Sequence, residues 1–104
     1  MFPVTDAERQ AALMYLPPVF YVPTARLNGP DGPEIELRHV DDNEIALMVY
    51  TARDRLHRCC GDFQRWAMVP AGNLKELHRR LPFDKILTDV EIPEELRYDL
   101  EDLL

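Results

Sequence analysis

The stretch Glu44-Ile-Ala-Leu-Met-Val-Tyr-Thr-Ala-Arg-Asp-Arg-Leu-His-Arg-Cys-Cys-Gly61 decides how this chain folds. From Ile45 to Tyr50 every side chain is apolar or aromatic. A strand with one wet face alternates, so an unbroken run of this kind predicts a central strand covered on both sides. Immediately afterwards Ala52, Leu56, Cys59, Cys60 and Phe63 recur at helical spacing. Thr51 stands where a cap is wanted, Asp54 falls in the first turn, and Gly61 supplies the stop. A buried strand running straight into an amphipathic helix requires further strands at its edges and a second layer over the sheet.

Working upstream, Glu34 to Val40 alternates, with Ile35 and Leu37 on one face and Glu36 and Arg38 on the other, which predicts a half-buried strand. Asp41-Asp-Asn43 is turn chemistry between that strand and the central one. Asn28-Gly-Pro-Asp-Gly-Pro33 predicts an exposed loop, and Val19-Phe-Tyr-Val22 a strand of β-branched and aromatic residues. Thr5-Asp-Ala-Glu8 has the form of a capping box and predicts a helix over residues 6–15, which Pro17-Pro18 must end.

Downstream, Trp66-Ala-Met-Val69 predicts a strand closed by Pro70, and Leu74, Leu77 and Leu81 mark an amphipathic helix between Gly72 and Pro82. Lys85 to Asp89 predicts a last short strand. Pro93 suits a first helical position, and a stripe of Leu96, Leu100, Leu103 and Leu104 predicts an acidic helix over residues 93–104. The expected order is α-β-β-β-α-β-α-β-α. It describes an α+β fold: a mixed sheet of about five strands with helices packed on it, in a single domain over residues 1–104.

The segment Val49-Tyr-Thr-Ala-Arg-Asp-Arg-Leu56 carries a resemblance. Together with Gly61, Trp66-Ala-Met-Val-Pro70, the Leu74/Leu77 helix and Ile86-Leu-Thr-Asp89, it resembles the SseB-like domain, the N-terminal domain of the enhanced-serine-sensitivity protein family, in a short stand-alone form of actinobacterial type. The similarity spans about residues 19–93. It implies an α+β domain, and it implies no particular enzymatic activity or cofactor. The chain departs from longer members in lacking their second domain and in adding the acidic, leucine-rich C-terminal segment.

Charge is unevenly placed. Of the formal net charge of −7, a net of −6 lies between Asp84 and Leu104. An acidic surface repels phosphate, so nucleic acid and anionic membranes are not expected partners. No stretch of about 18 apolar residues is present, so no membrane span is expected. The N-terminus has neither the cationic opening nor the apolar run of a secretory signal. The only cysteines, Cys59 and Cys60, are adjacent, which disfavours an ordinary disulfide and points to a reduced, cytoplasmic life.

His57-Arg-Cys-Cys60 is the one cluster of reactive side chains. Both cysteines fall on the apolar stripe of their helix, where a cysteine behaves as a small hydrophobe. No orienting third group is identifiable, and adjacent cysteines lack the spacer of a zinc pair, so no catalytic residue, metal ligand or cofactor is expected. Asp41, Asp42 and Glu44 read as a polar hairpin tip. The residues expected to carry function are therefore interaction residues: Trp66, read as a core or core-edge anchor or else an interface hot spot, with Leu96, Leu100, Leu103, Asp99 and Glu101 on a terminal segment that docks on its own body, on a second copy or on another protein. The expected partner is another protein or a second copy of the chain, a homodimer pairing through a sheet edge. The alternatives are a small-molecule sensor or small enzyme with a pocket between the sheet and the 51–60 helix, and an acidic mimic of nucleic acid.

Overall fold

A computed structural model describes residues 17–25, 29–30 and 32–103. The helix expected over 6–15 lies outside the described residues. The fold is α+β with five strands: β1 (Val19–Pro23), β2 (Leu37–His39), β3 (Ile45–Val49), β4 (Trp66–Pro70) and β5 (Lys85–Thr88). Among the described residues two α-helices of eight and seven residues interleave with them, α1 (Arg53–Cys60) and α2 (Leu74–Arg80).

β3 is central. β2 pairs with it antiparallel, Leu37 opposite Leu47, and β5 pairs parallel, Leu47 opposite Ile86. Its residues divide with the period of two that a strand imposes. Ala46, Met48 and Tyr50 enter one core with Leu56, Cys60 and Ile92, against α1. Leu47 and Val49 enter another with Phe20 and Val22, against Leu74, Leu77 and Phe83. The apolar run is thus a strand sealed on both faces. Burying a side chain such as Leu56 removes it fully from water and stabilises by about 1.5–3 kcal/mol.

The five strands divide into a sheet of two, β1 with β4, and a sheet of three, β2-β3-β5. The expected strand 34–40 is shortened to β2 because β1 enters a fork between it and β3. Tyr21 and Tyr50 exchange both backbone hydrogen bonds at 2.9 Å, while Ala25 and Pro23 bond Glu34 and Glu36. The odd-numbered residues of β1 face this fork, and its other edge holds β4 in register, Tyr21 opposite Met68. At the β2–β3 connection Asp42 and Asn43 take φ of 63° and 60°, a left-handed backbone that Asp and Asn tolerate better than other side chains.

Two local expectations are corrected. Thr51 does not cap α1: Ala52 holds the cap position, and Thr51 gives both its amide (2.9 Å) and its hydroxyl (2.8 Å) to Asp89. Of the helix expected over 93–104, the described residues 93–103 do not form a continuous helix. They make two 3-10 turns, Glu94–Leu96 and Leu100–Leu103, separated by extended Arg97 at φ −85°, ψ 150°. A segment this short gains little from helix propagation. It gives up the helix for bonds to the body: Arg97 Nε donates to the Ile92 carbonyl at 2.9 Å, and Tyr98 reaches Glu36 at 3.1 Å.

Candidate functional site

The terminal segment is fastened at its start and along one side. Ile92 is buried, and its amide donates to the Cys59 carbonyl at the end of α1 at 2.9 Å. Arg97 lies over Gly61, with Cδ 3.3 Å from where a β-carbon would stand, and its guanidinium reaches Glu91 at 3.1 Å. Gly61 has φ of 97°, which glycine adopts without cost, and its amide closes α1 onto the His57 carbonyl. Glu36 then holds two groups at once: Tyr98 donates to one carboxylate oxygen, and buried Gln64 donates to the other at 3.1 Å. Gln64 also bonds the Thr24 and Arg65 carbonyls, so this network ties β1, β2, the α1–β4 connection and the terminus together.

These fastenings leave the leucines outward. Leu96 is 56% exposed and Leu100 57%, and the intervening Asp99 is exposed as well. Asp99 and Asp102 stabilise the second turn reciprocally, the amide of each bonding the other's carboxylate at 2.7 and 3.2 Å. Glu101 is exposed, and Leu103 closes the turn. Leu96, Asp99, Leu100 and Glu101 are therefore brought together on one exposed segment, by turns rather than along a helical stripe. Tyr98 and Arg97, which do the fastening, were missed. Their signal was an aromatic and a cation interrupting an otherwise acidic, leucine-bearing stretch.

Trp66 sits elsewhere, at the start of β4 and half-buried. Tyr21 meets it edge to face at 5.4 Å between centroids, and the Arg53 guanidinium lies 5.7 Å from the ring centre. Beside this stack a shallow, open depression of about 950 Å³ runs along α1, lined by Tyr21, Arg53, Asp54, His57, Arg58 and Asp62. It shares His57 and Asp62 with a smaller one of about 450 Å³ that adds Phe63, Arg65 and Trp66. The space directly between α1 and the sheet is filled by Met48, Tyr50, Leu56 and Cys60.

Cys60 is fully buried, and burial pushes its thiol up from the usual value; burial and then the nearby Asp89 and Glu91 charges do the same at Cys59. Thiols held protonated in this way are poor nucleophiles and poor metal ligands. His57 Nδ1 lies 3.3 Å from the Gly61 carbonyl. Among the described residues no group of three or more His, Cys, Asp or Glu is placed to hold a metal ion. The hairpin carboxylate Glu44 is paired with Lys85 at 3.0 Å.

Comparison of the chain with protein-family models, with curated proteins and with solved structures gave no match in any of the three. Among the described residues no helix is long and apolar enough to cross a membrane.

Proposed function

We propose that this chain is a non-enzymatic interaction module of the SseB-like type, working in the cytoplasm and binding another protein through its C-terminal segment. One observation carries the reading. The segment is held to the body by Ile92, Arg97 and Tyr98, yet it keeps Leu96 and Leu100 more than half exposed among Glu94, Glu95, Asp99 and Glu101. A terminus that merely completed its own core would turn its leucines inward. Ordered, outward leucines on a fixed backbone avoid much of the ordering cost that a loose tail meets on binding. The buried Cys60 thiol, pushed toward its protonated form, and the filled space under α1 favour this reading over an enzyme or sensor with an enclosed pocket.

The test is affinity purification of the full chain from its native host, beside a variant carrying Leu96→Ser and Leu100→Ser. The expected result is an unchanged melting temperature with loss of the co-purifying protein. Equal recovery of that protein by both chains would remove the segment from the interaction.

A further inference from the structure

The exposed acidic segment has its complement on the same molecule. Arg53, Arg58 and Arg65 are exposed and form no ion pair among the described residues, whereas Arg55, Arg79, Lys85 and Arg97 each hold a carboxylate. Lys75 and Arg80 on α2 are likewise exposed and without an ion pair among the described residues, but Arg53, Arg58 and Arg65 are the ones that line the two adjoining depressions along α1, where Tyr21, Phe63 and Trp66 supply apolar surface. Asp54 and Asp62 also line them, and Asp54 is partly engaged by the Arg55 amide at 3.0 Å. The arginines therefore outnumber the acids on this face, within a chain whose net charge is −7. Glu94, Glu95 and Glu101 are equally exposed and equally without an ion pair among the described residues.

We infer that two copies of the chain associate about a two-fold axis, each seating Leu96 and Leu100 of its terminal segment on the arginine- and aromatic-lined depression of the other. A shallow open surface suits a polypeptide segment better than a small molecule, which needs enclosure. Leu96 and Leu100 are not among the residues that line the chain's own depressions, and Arg97 over Gly61 and Tyr98 on Glu36 fasten the segment to other parts of the body. Donor and acceptor surfaces adjoin at the C-terminal end of α1, so one rotation satisfies both contacts at once, as an isologous interface requires. Carboxylates Glu95 and Glu101 then face the side of the partner copy that carries Arg58 and Arg65. Repulsion between two chains of net charge −7 opposes the contact and keeps it weak. The inference rests on the interaction reading above in using the same exposed segment, and it names a second copy of the chain as a further occupant of that segment beside a host protein.

The experiment is sedimentation velocity of full-length chains from about one to several hundred micromolar, the range in which weak homodimers form. One variant carries Arg58→Glu with Arg65→Glu; the other carries Glu95→Lys with Glu101→Lys. All four positions are exposed, and melting curves verify that both variants fold; Arg53→Glu with Arg58→Glu replaces the first pair if it does not. The native chain is expected to dimerise, and each variant alone to associate at least about tenfold more weakly, because its own segment and depression now repel. Mixed in equal amounts, the two variants are expected to form a heterodimer, since every contact between them is again of opposite sign. A native chain that stays monomeric throughout, variants that dimerise as well as the native chain, or a mixture that fails to associate would each overturn the proposal. None of these outcomes bears on capture of a host protein lost with Leu96→Ser and Leu100→Ser, so the two readings fail separately.

Discussion

Tyr98 donates its phenolic hydrogen to Glu36 at 3.1 Å across 62 positions of sequence, and this bond fastens the terminal segment beside the start of β2. Glu36 accepts Gln64 on its other oxygen, so the tyrosine joins a network already bound to β1 and the α1–β4 connection.

Tyr98→Phe removes one partly buried hydrogen bond and should cost about 1 kcal/mol by chemical denaturation. Truncation after Ile92 should lower the melting temperature further, because Arg97 leaves with Tyr98. The pair Leu96→Ser and Leu100→Ser should leave it in place, since those side chains are exposed. A truncated chain that melts with the full one would show the fastening to be without energetic weight.

Buried Tyr50 and partly buried Tyr98 make the fold sensitive to alkali. Burial, aided by the Glu36 charge, raises Tyr98 above the usual value of 10.0. Burial chiefly raises Tyr50, whose hydroxyl donates to the Val90 carbonyl at 2.6 Å. The folded state therefore keeps these protons while the unfolded chain loses them. Stability from both is complete below the ordinary tyrosine value and declines as pH rises above it. Tyr50→Phe should flatten that alkaline decline in a denaturation series, although it costs about 1–2 kcal/mol at neutral pH. An equally steep decline in the variant would assign the effect to other groups.

Asp89 governs the acid side. Burial pushes its carboxyl upward, but the Thr51 amide and hydroxyl and the Arg55 guanidinium together outweigh this and hold it below the usual 3.8. A depressed carboxylate contributes stability above its unfolded value that is lost as pH falls through the folded one. Asp89→Ala should cost about 1–3 kcal/mol at neutral pH and remove part of the acid loss. Arg55→Ala should cost under about 1 kcal/mol, because the arginine side of the 2.9 Å ion pair is 55% exposed and solvent screens it. Equal costs for the two variants would contradict this division.

Cys60 acts as a core hydrophobe. Its thiol should resist alkylation by iodoacetamide at pH 7.5 while the chain is folded and react on unfolding, because the thiolate is disfavoured and the sulfur is fully buried. Cys60→Ala should cost about 1 kcal/mol or more. Stoichiometric zinc in the purified protein, or rapid alkylation of the native fold, would count against this role.

Gly61→Ala should destabilise by more than about 1 kcal/mol. The position has φ of 97°, and an added methyl would stand 3.3 Å from Arg97 Cδ. Alanine at Gly72, where nothing lies within 4 Å of an added methyl, is the control and should be close to neutral.

By itself the sequence determined what is periodic and local. The apolar run Ile45 to Tyr50 could only be a strand sealed on both faces, and the spacing of Leu56 and Cys60 could only place one side of α1 on it. The order of the five strands, the stop at Gly61 and the acidic character of the terminus follow from the same local rules, whereas the exposure of its leucines does not, since an amphipathic stripe equally fits docking on the chain's own body. Tertiary structure decided whatever depends on partners far along the chain. β1 enters the fork between β2 and β3 because Tyr50 and the Glu34–Glu36 segment offer it backbone groups that no short window reveals. Thr51 turns from capping α1 to Asp89, 38 residues away, where its amide and hydroxyl are both bonded. The leucine stripe of residues 93–104 is a valid helical pattern that does not become a continuous helix. Helix propensity in so short a segment is worth tenths of a kcal/mol per residue, while the bonds of Arg97 and Tyr98 to the body contribute about 1 kcal/mol each and require an extended backbone between them.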